Sequence, residues 1–180
     1  MNDRKGFAQS IETSYMGMRL SGPVIASSSP LTASADSVAE LAAAGAGAVV
    51  LKSVFEEQIA GQAASLEKYS DYPEAQQYLN RYMEGDYVNG YINLVKELKK
   101  RVNIPVIGSI NCHTSGRWVE YAAALEDAGA DAIELNIFLQ PVSPEQSGAE
   151  IESAYLDIAA AVTESVTAIP VAVKLAPHFT

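Results

Sequence analysis

The sequence predicts an α/β fold in which about five strand–helix units lie around one parallel sheet. Three observations carry this. Five short apolar strands each end on, or next to, a polar residue: Ser27, Lys52, Ser109, Asn136 and Lys174. Two strands are near copies, GAGAVVLK (Gly45 to Lys52) and GADAIELN (Gly129 to Asn136). In GPVIAS, IPVIGS and IPVAVK the polar residue follows a proline by four positions. Parallel strands are buried on both faces and read as apolar runs, and proline suits a strand's first position. Ligands collect at the carboxyl ends of such strands, so the polar row is a candidate ligand floor.

Taken in order, residues 1–21 form a lead-in whose TSYMGMRLSG segment is expected to pair locally. After the first strand, Pro30 and the Ser34 to Asp36 cluster start a helix that Gly45 ends, and the chain returns to the strand ending LKS. Residues 54–86 exceed an ordinary connection of about 2 to 6 residues and read as a tyrosine-rich excursion of the kind that forms lids, with Tyr69, Tyr72, Tyr78 and Tyr82. A helix over roughly Tyr87 to Arg101 follows from Val88, Tyr91, Ile92, Val95 and Leu98 at helical spacing. PVIGSIN is the third strand; Trp118, Tyr121, Ala122 and Leu125 mark the helix that Gly129 closes; AIELNIF is the fourth strand. Ser147 and Glu150 form a capping-box signature for a helix to about Val166, and VAVKLA is the fifth strand.

Composition narrows the functional classes. The chain has 180 residues, 48% hydrophobic and 19% charged, enough to bury a core as one domain over 1–180. No apolar run approaches the roughly 20 residues of a membrane span, and the N-terminus lacks a signal peptide's apolar stretch, so no membrane partner and a cytoplasmic location are expected. The single cysteine, Cys112, excludes an internal disulfide. A net charge of −10 argues against a nucleic-acid partner.

Lys52 and Lys174 sit in apolar strands, where lysine is costly unless a partner or a ligand anion holds it; a structural salt bridge is the alternative. Asn136 is expected to face the sheet's inner side together with Lys52, leaving Glu134 to the helix layer. Cys112 and His113 are neighbours whose side chains diverge, so Cys112 reads as structural rather than nucleophilic. His178 is either a ligand residue or part of a frayed tail, and two histidines specify no metal cluster. No glycine run matches a dinucleotide loop in position. Repeated units of this kind either close into an eight-stranded barrel or lie in an open sheet.

With these residues in hand, the chain resembles the dihydroorotate dehydrogenase family, FMN enzymes of pyrimidine biosynthesis on a (β/α)8 barrel, and within it the dihydroorotate dehydrogenase-like branch. The likeness runs from about Tyr15 to Thr180 and rests on VIASSSPLT, VVLKS, SLEKY with YPEA, PVIGSIN, GADAIELNIF and PVAVKLAPHF in order. It implies a partial barrel of the TIM type with about five of eight units, FMN as cofactor and a small-molecule substrate. By position, Ala26 and Ser27 match residues lining the flavin; Lys52 and Ser53 match a lysine and hydroxyl residue at flavin and substrate; Asn136 matches an asparagine at flavin or substrate; and Lys174 matches a lysine at the flavin's N1 and O2 edge.

Two departures qualify what is carried over. Where the family places a cysteine or serine base after ELN, this chain has Leu139, with Ser143 and Ser147 as loop alternatives. The family's NSMG-type substrate loop is replaced by the tyrosine-rich excursion, which argues against orotate. The family's phosphate-binding strands, the seventh and eighth, lie beyond this sequence, so the chain is read as a C-terminally truncated barrel whose open edges favour a homo-oligomer. Competing readings are a class I aldolase-type barrel with Lys174 or Lys52 as Schiff base, and a non-catalytic half-barrel.

Overall fold

A computed structural model describes residues 11–56, 73–112, 114–139 and 146–175, with the side chains of 73–86 and of Ser115 outside the description. The elements are β1 (Thr13–Tyr15), β2 (Met18–Leu20), β3 (Ile25–Ala26), α1 (Ala35–Ala43), β4 (Ala48–Val50), β5 (Val54–Phe55), α2 (Pro73–Arg101), β6 (Val106–Asn111), α3 (Ser115–Asp127), β7 (Ala132–Asn136), α4 (Gly148–Ser165) and β8 (Val171–Lys174).

All strand pairs of the main sheet are parallel, and their order β3-β4-β6-β7-β8 is the order of the chain. An open doubly wound sheet would reverse direction at a switch point and carry helices on both faces. Here α1, α2, α3 and α4 cover one face: Val38, Val95, Leu98, Trp118, Leu125, Tyr155 and Val162 pack with Val49, Leu51, Val106, Ile110, Ile133 and Leu135. The sheet is therefore the arc of a (β/α) barrel, a partial barrel of five consecutive strand positions.

The alternating strand residues Ala48, Val50, Ile107 and Ala132 point to the opposite, inner face. At its amino end that face is stoppered by the β1–β2 hairpin, where Leu20, Met16 and Met18 pack on them. Apolar below and polar above, the inner face leaves its upper half to Ser109, Asn111, Glu134, Asn136 and Lys174.

The expected helix signals hold. Ser34 Oγ accepts from the Ser37 N–H to cap α1, and Ser147 and Glu150 make the reciprocal capping box of α4. Gly45 and Gly129, at φ 97° and 89°, occupy the left-handed turn after α1 and α3. One expectation is corrected. The excursion at 54–86 contains β5 and the first half of α2, a helix that begins at Pro73 rather than near Tyr87. Proline at the first helical position costs no hydrogen bond, because its missing N–H would have had no partner within the helix. Residues 57–72 of that excursion, and with them Tyr69 and Tyr72, lie outside the described residues, as do His113, Ser143 and His178.

β6 is buried along its whole length. Gly108 within it lets α3 approach closely: a Cβ there would meet Leu125 Cδ1 at 2.7 Å. Gly108→Val should therefore destabilise the fold by about 1–3 kcal/mol through overpacking, read as a lowered urea midpoint at unchanged slope.

Candidate functional site

The site is shaped by a register fault between β4 and β6. Val50 pairs with Ile107, but Val54 pairs with Ile110, so four steps on one side match three on the other. The extra residue makes a β-bulge, and it inverts the alternation of side chains beyond it. Ser53, not Lys52, consequently falls beside Ser109 on the inner face, with the two hydroxyl oxygens 2.8 Å apart. Lys52 instead borders a groove of about 550 Å³ together with Ala33, Tyr87, Tyr91 and Glu97, and its backbone N–H donates to the Thr32 carbonyl at 3.3 Å. The expectation that Lys52 and Asn136 face inward together is thus corrected, because the near-copy sequences hide the bulge.

At the bulge Ser109 loses its backbone partners on the β4 side. Tyr91, reaching in from α2, replaces them: its hydroxyl accepts from the Ser109 N–H at 3.0 Å and donates to the Ser109 carbonyl at 3.3 Å. Burial raises the Tyr91 phenol well above its ordinary pKa, so it stays a donor.

Glu134 also departs from expectation. It was assigned to the helix layer, but residues two apart on a strand share a face, and Glu134 stands on the inner face with Asn136. Its Oε1 accepts from Ser109 Oγ at 3.0 Å and from Lys174 Nζ at 3.1 Å. Lys174 is thereby held beside Asn136, its register partner on β7. With the lysine side chain 46% exposed, this pair contributes only about 0–1 kcal/mol to stability, so its main effect is to place the ammonium.

A continuous row of side chains results. Ser28 Oγ lies 3.2 Å from Ser53 Oγ and accepts from the Ser53 N–H at 3.0 Å. Ser53 meets Ser109, and Ser109 meets Glu134. Asn136 Nδ2 reaches Ser53 Oγ at 3.5 Å, the outer limit of a hydrogen bond, while Asn111 Nδ2 donates to the Asn136 carbonyl at 2.7 Å.

Of the residues singled out from sequence, the structure brings Ser53, Asn136 and Lys174 together on the inner face. Ala26 packs toward the helix-side core, and Ser27 is exposed at the end of β3. Ser28, Tyr91, Asn111 and Glu134 were not among the expected site residues. Glu134 and Ser28 had a visible signal, since both occur inside or beside the strand-end motifs; Tyr91 looked like an ordinary apolar-face residue. Leu139, at the position of the family's base, packs on the core and donates its N–H to Tyr155 Oη at 3.3 Å. Ser147 serves as the α4 cap. Cys112 is buried, and desolvation pushes its thiol up to about 12, which matches its structural reading. No group of three or more possible metal ligands occurs among the described residues, and no described helix is long and apolar enough to cross a membrane.

Chain-ordered parallel strands, helices on one face, and polar groups converging at the carboxyl strand ends define the class: a partial (β/α)-barrel protein whose candidate site lies at its upper face. The family model for dihydroorotate dehydrogenase matches residues 10–180, and the chain belongs to that family. Among solved structures it is similar to an IMP dehydrogenase/GMP reductase-like protein from Corynebacterium glutamicum, at 15% identity and a TM-score of 0.48, over 93% of this chain and 43% of that one. The chain thus spans less than half the length of that structure. No curated protein matches.

Two outcomes follow from the geometry. Tyr91→Phe should cost about 1–3 kcal/mol, because Ser109 would keep a buried N–H and carbonyl without partners, measured by chemical denaturation. Cys112 should resist alkylation in the native state at pH 8 and react on unfolding. Because the folded thiol holds its proton to about pH 12 while the exposed thiol loses it near its ordinary value of 9.0, its linkage should lower stability as pH rises between those values.

Proposed function

We propose that this chain forms the flavin-facing part of an FMN-dependent oxidoreductase that moves a hydride between a small molecule and the flavin. The observation that supports it best is the meeting of Lys174, Asn136 and Ser53 on the inner face of a barrel of this family. Their chemistry suits the cofactor: an ammonium, a carboxamide and hydroxyls offer donors to a planar heterocycle with carbonyl acceptors along one edge. Lys174 gives one donor to Glu134 and keeps others for a ligand. Bound there, the flavin would supply the two-electron acceptor. Lys174 would stabilise the negative charge that reduction brings, and so tune the cofactor without reacting itself.

Asn136 orients a ring edge or a substrate carbonyl. Lys52, at the bulge, borders the groove beside Tyr87 and Glu97, where an anionic substituent of the substrate would find a cation. The ion pair of Lys174 with Glu134 weighs against a Schiff-base role for that lysine. The substrate is read as a small molecule other than orotate, since the family's substrate-loop motif is absent from the sequence. Self-association belongs to the same proposal: among the described residues β3 and β8 are the end strands of the sheet, and Val173 and Leu175 at the β8 edge are 37% and 56% exposed.

Titrating the purified protein with FMN should perturb the flavin's visible spectrum, and Lys174→Met should weaken binding by about tenfold, roughly 1.4 kcal/mol. An unperturbed flavin spectrum at all protein concentrations would remove FMN from the proposal. Light scattering should give a mass above the 19.1 kDa monomer, and a clean monomer would remove the self-association.

A further inference from the structure

Hydrogen-bond donors and acceptors assign a direction to the serine row. The Glu134 carboxylate only accepts, so Ser109 must spend its one hydroxyl proton on it. Ser109 therefore accepts from Ser53, and Ser53 in turn from Ser28, whose oxygen already takes the Ser53 N–H. All three hydroxyl protons point toward Glu134. Ser53 and Ser109 are buried at 3% and 0% exposure, whereas Ser28 is partly exposed at the end of the first barrel strand.

Glu134 is equally one-sided. Oε1 receives both Ser109 and Lys174, while Oε2 accepts no hydrogen bond from a described residue. A carboxylate oxygen standing free on the inner face is a proton acceptor without a partner, and Leu139 offers no base at the family's usual position.

We infer that Glu134 is the proton-accepting group of this site and that Ser109, Ser53 and Ser28 relay its proton between the buried floor and solvent. The inference rests on the hydride-transfer reading above. A substrate that loses a hydride with its bonding pair to a flavin also loses a proton from the adjacent atom, and that second bonding pair becomes the new π bond. Glu134 Oε2 takes the proton. Rotation of the carboxyl group presents it to Ser109, the three hydroxyls turn to point away from Glu134, and each then passes its own proton one place on, so that Ser28 releases one to water. The hops themselves leave every hydroxyl pointing toward Glu134 again. The titratable groups facing Glu134 among the described residues are Lys174 from β8, 3.1 Å away, and Tyr91 from α2.

The relay can be tested without any flavin, by following carbon-13 resonances of the Glu134 carboxyl and of Ser28, Ser53 and Ser109 Cβ against pH. In the unmodified protein all four should shift with one shared midpoint, because protonating Glu134 turns every hydroxyl. In Ser109→Ala, Glu134 should still titrate while the Ser28 and Ser53 shifts are lost; Ser53→Ala should silence Ser28 alone. Serines that merely hold the strands together would show no common midpoint in the unmodified protein. That result, or a Ser28 shift that survives both substitutions, overturns the relay. Loss of FMN binding with the shared titration intact would instead overturn the flavin reading, so the two failures are distinct.

Discussion

One extra residue in the second barrel strand governs the upper half of this molecule. Without the bulge between Val50 and Val54, lateral alternation would bring Lys52 to the inner face and send Ser53 toward the helices. With it, a small hydroxyl takes the inward place next to Ser109. The fault breaks the backbone ladder at Ser109, and the tyrosine that mends it fastens α2 to the sheet at that point. Site composition, helix placement and the groove beside Lys52 all follow from a single mismatch in strand length.

The inner face separates its two tasks by height. Its amino end is sealed by the hairpin and packed with Ala48, Val50, Ile107 and Ala132, which exclude water beneath the polar groups. Above this floor Lys174 stands against Glu134 in a chain that carries a net charge of −10. A cation in such surroundings is a distinctive feature for an electron-rich ligand, and its direction is fixed by the carboxylate it leans on rather than by its own flexible stem.

Much of this was legible in the sequence because parallel strands, caps and terminating glycines leave local signatures. Pro23, Pro105 and Pro170 announce strand starts, and Ser147 with Glu150 announces α4. Lys174 and Asn136 were recoverable because a polar residue closing an apolar run is conspicuous. The bulge was not legible, since GAGAVVLK and GADAIELN look alike while only the first sits against a strand it overruns. Tyr91 was hidden by its apolar neighbours, as a tyrosine at helical spacing reads as packing until its hydroxyl finds a partner. Glu134 joins Asn136 on the inner face because second neighbours along a strand share a face, which overrides its separation from the strand's end. The α2 start was obscured because residues 54–86, long and rich in tyrosine, read as a lid-type excursion.

The agreement between strand order and chain order also bears on how the molecule is made. Each barrel strand docks on the one synthesised before it, from β3 through β8, so every new unit emerging from the ribosome meets a finished template. Long-range searches between distant segments are largely avoided, although parallel pairing always requires a helix-length closure. Assembly can proceed vectorially from the amino end, with the growing edge offering its unpaired backbone groups to each unit that follows.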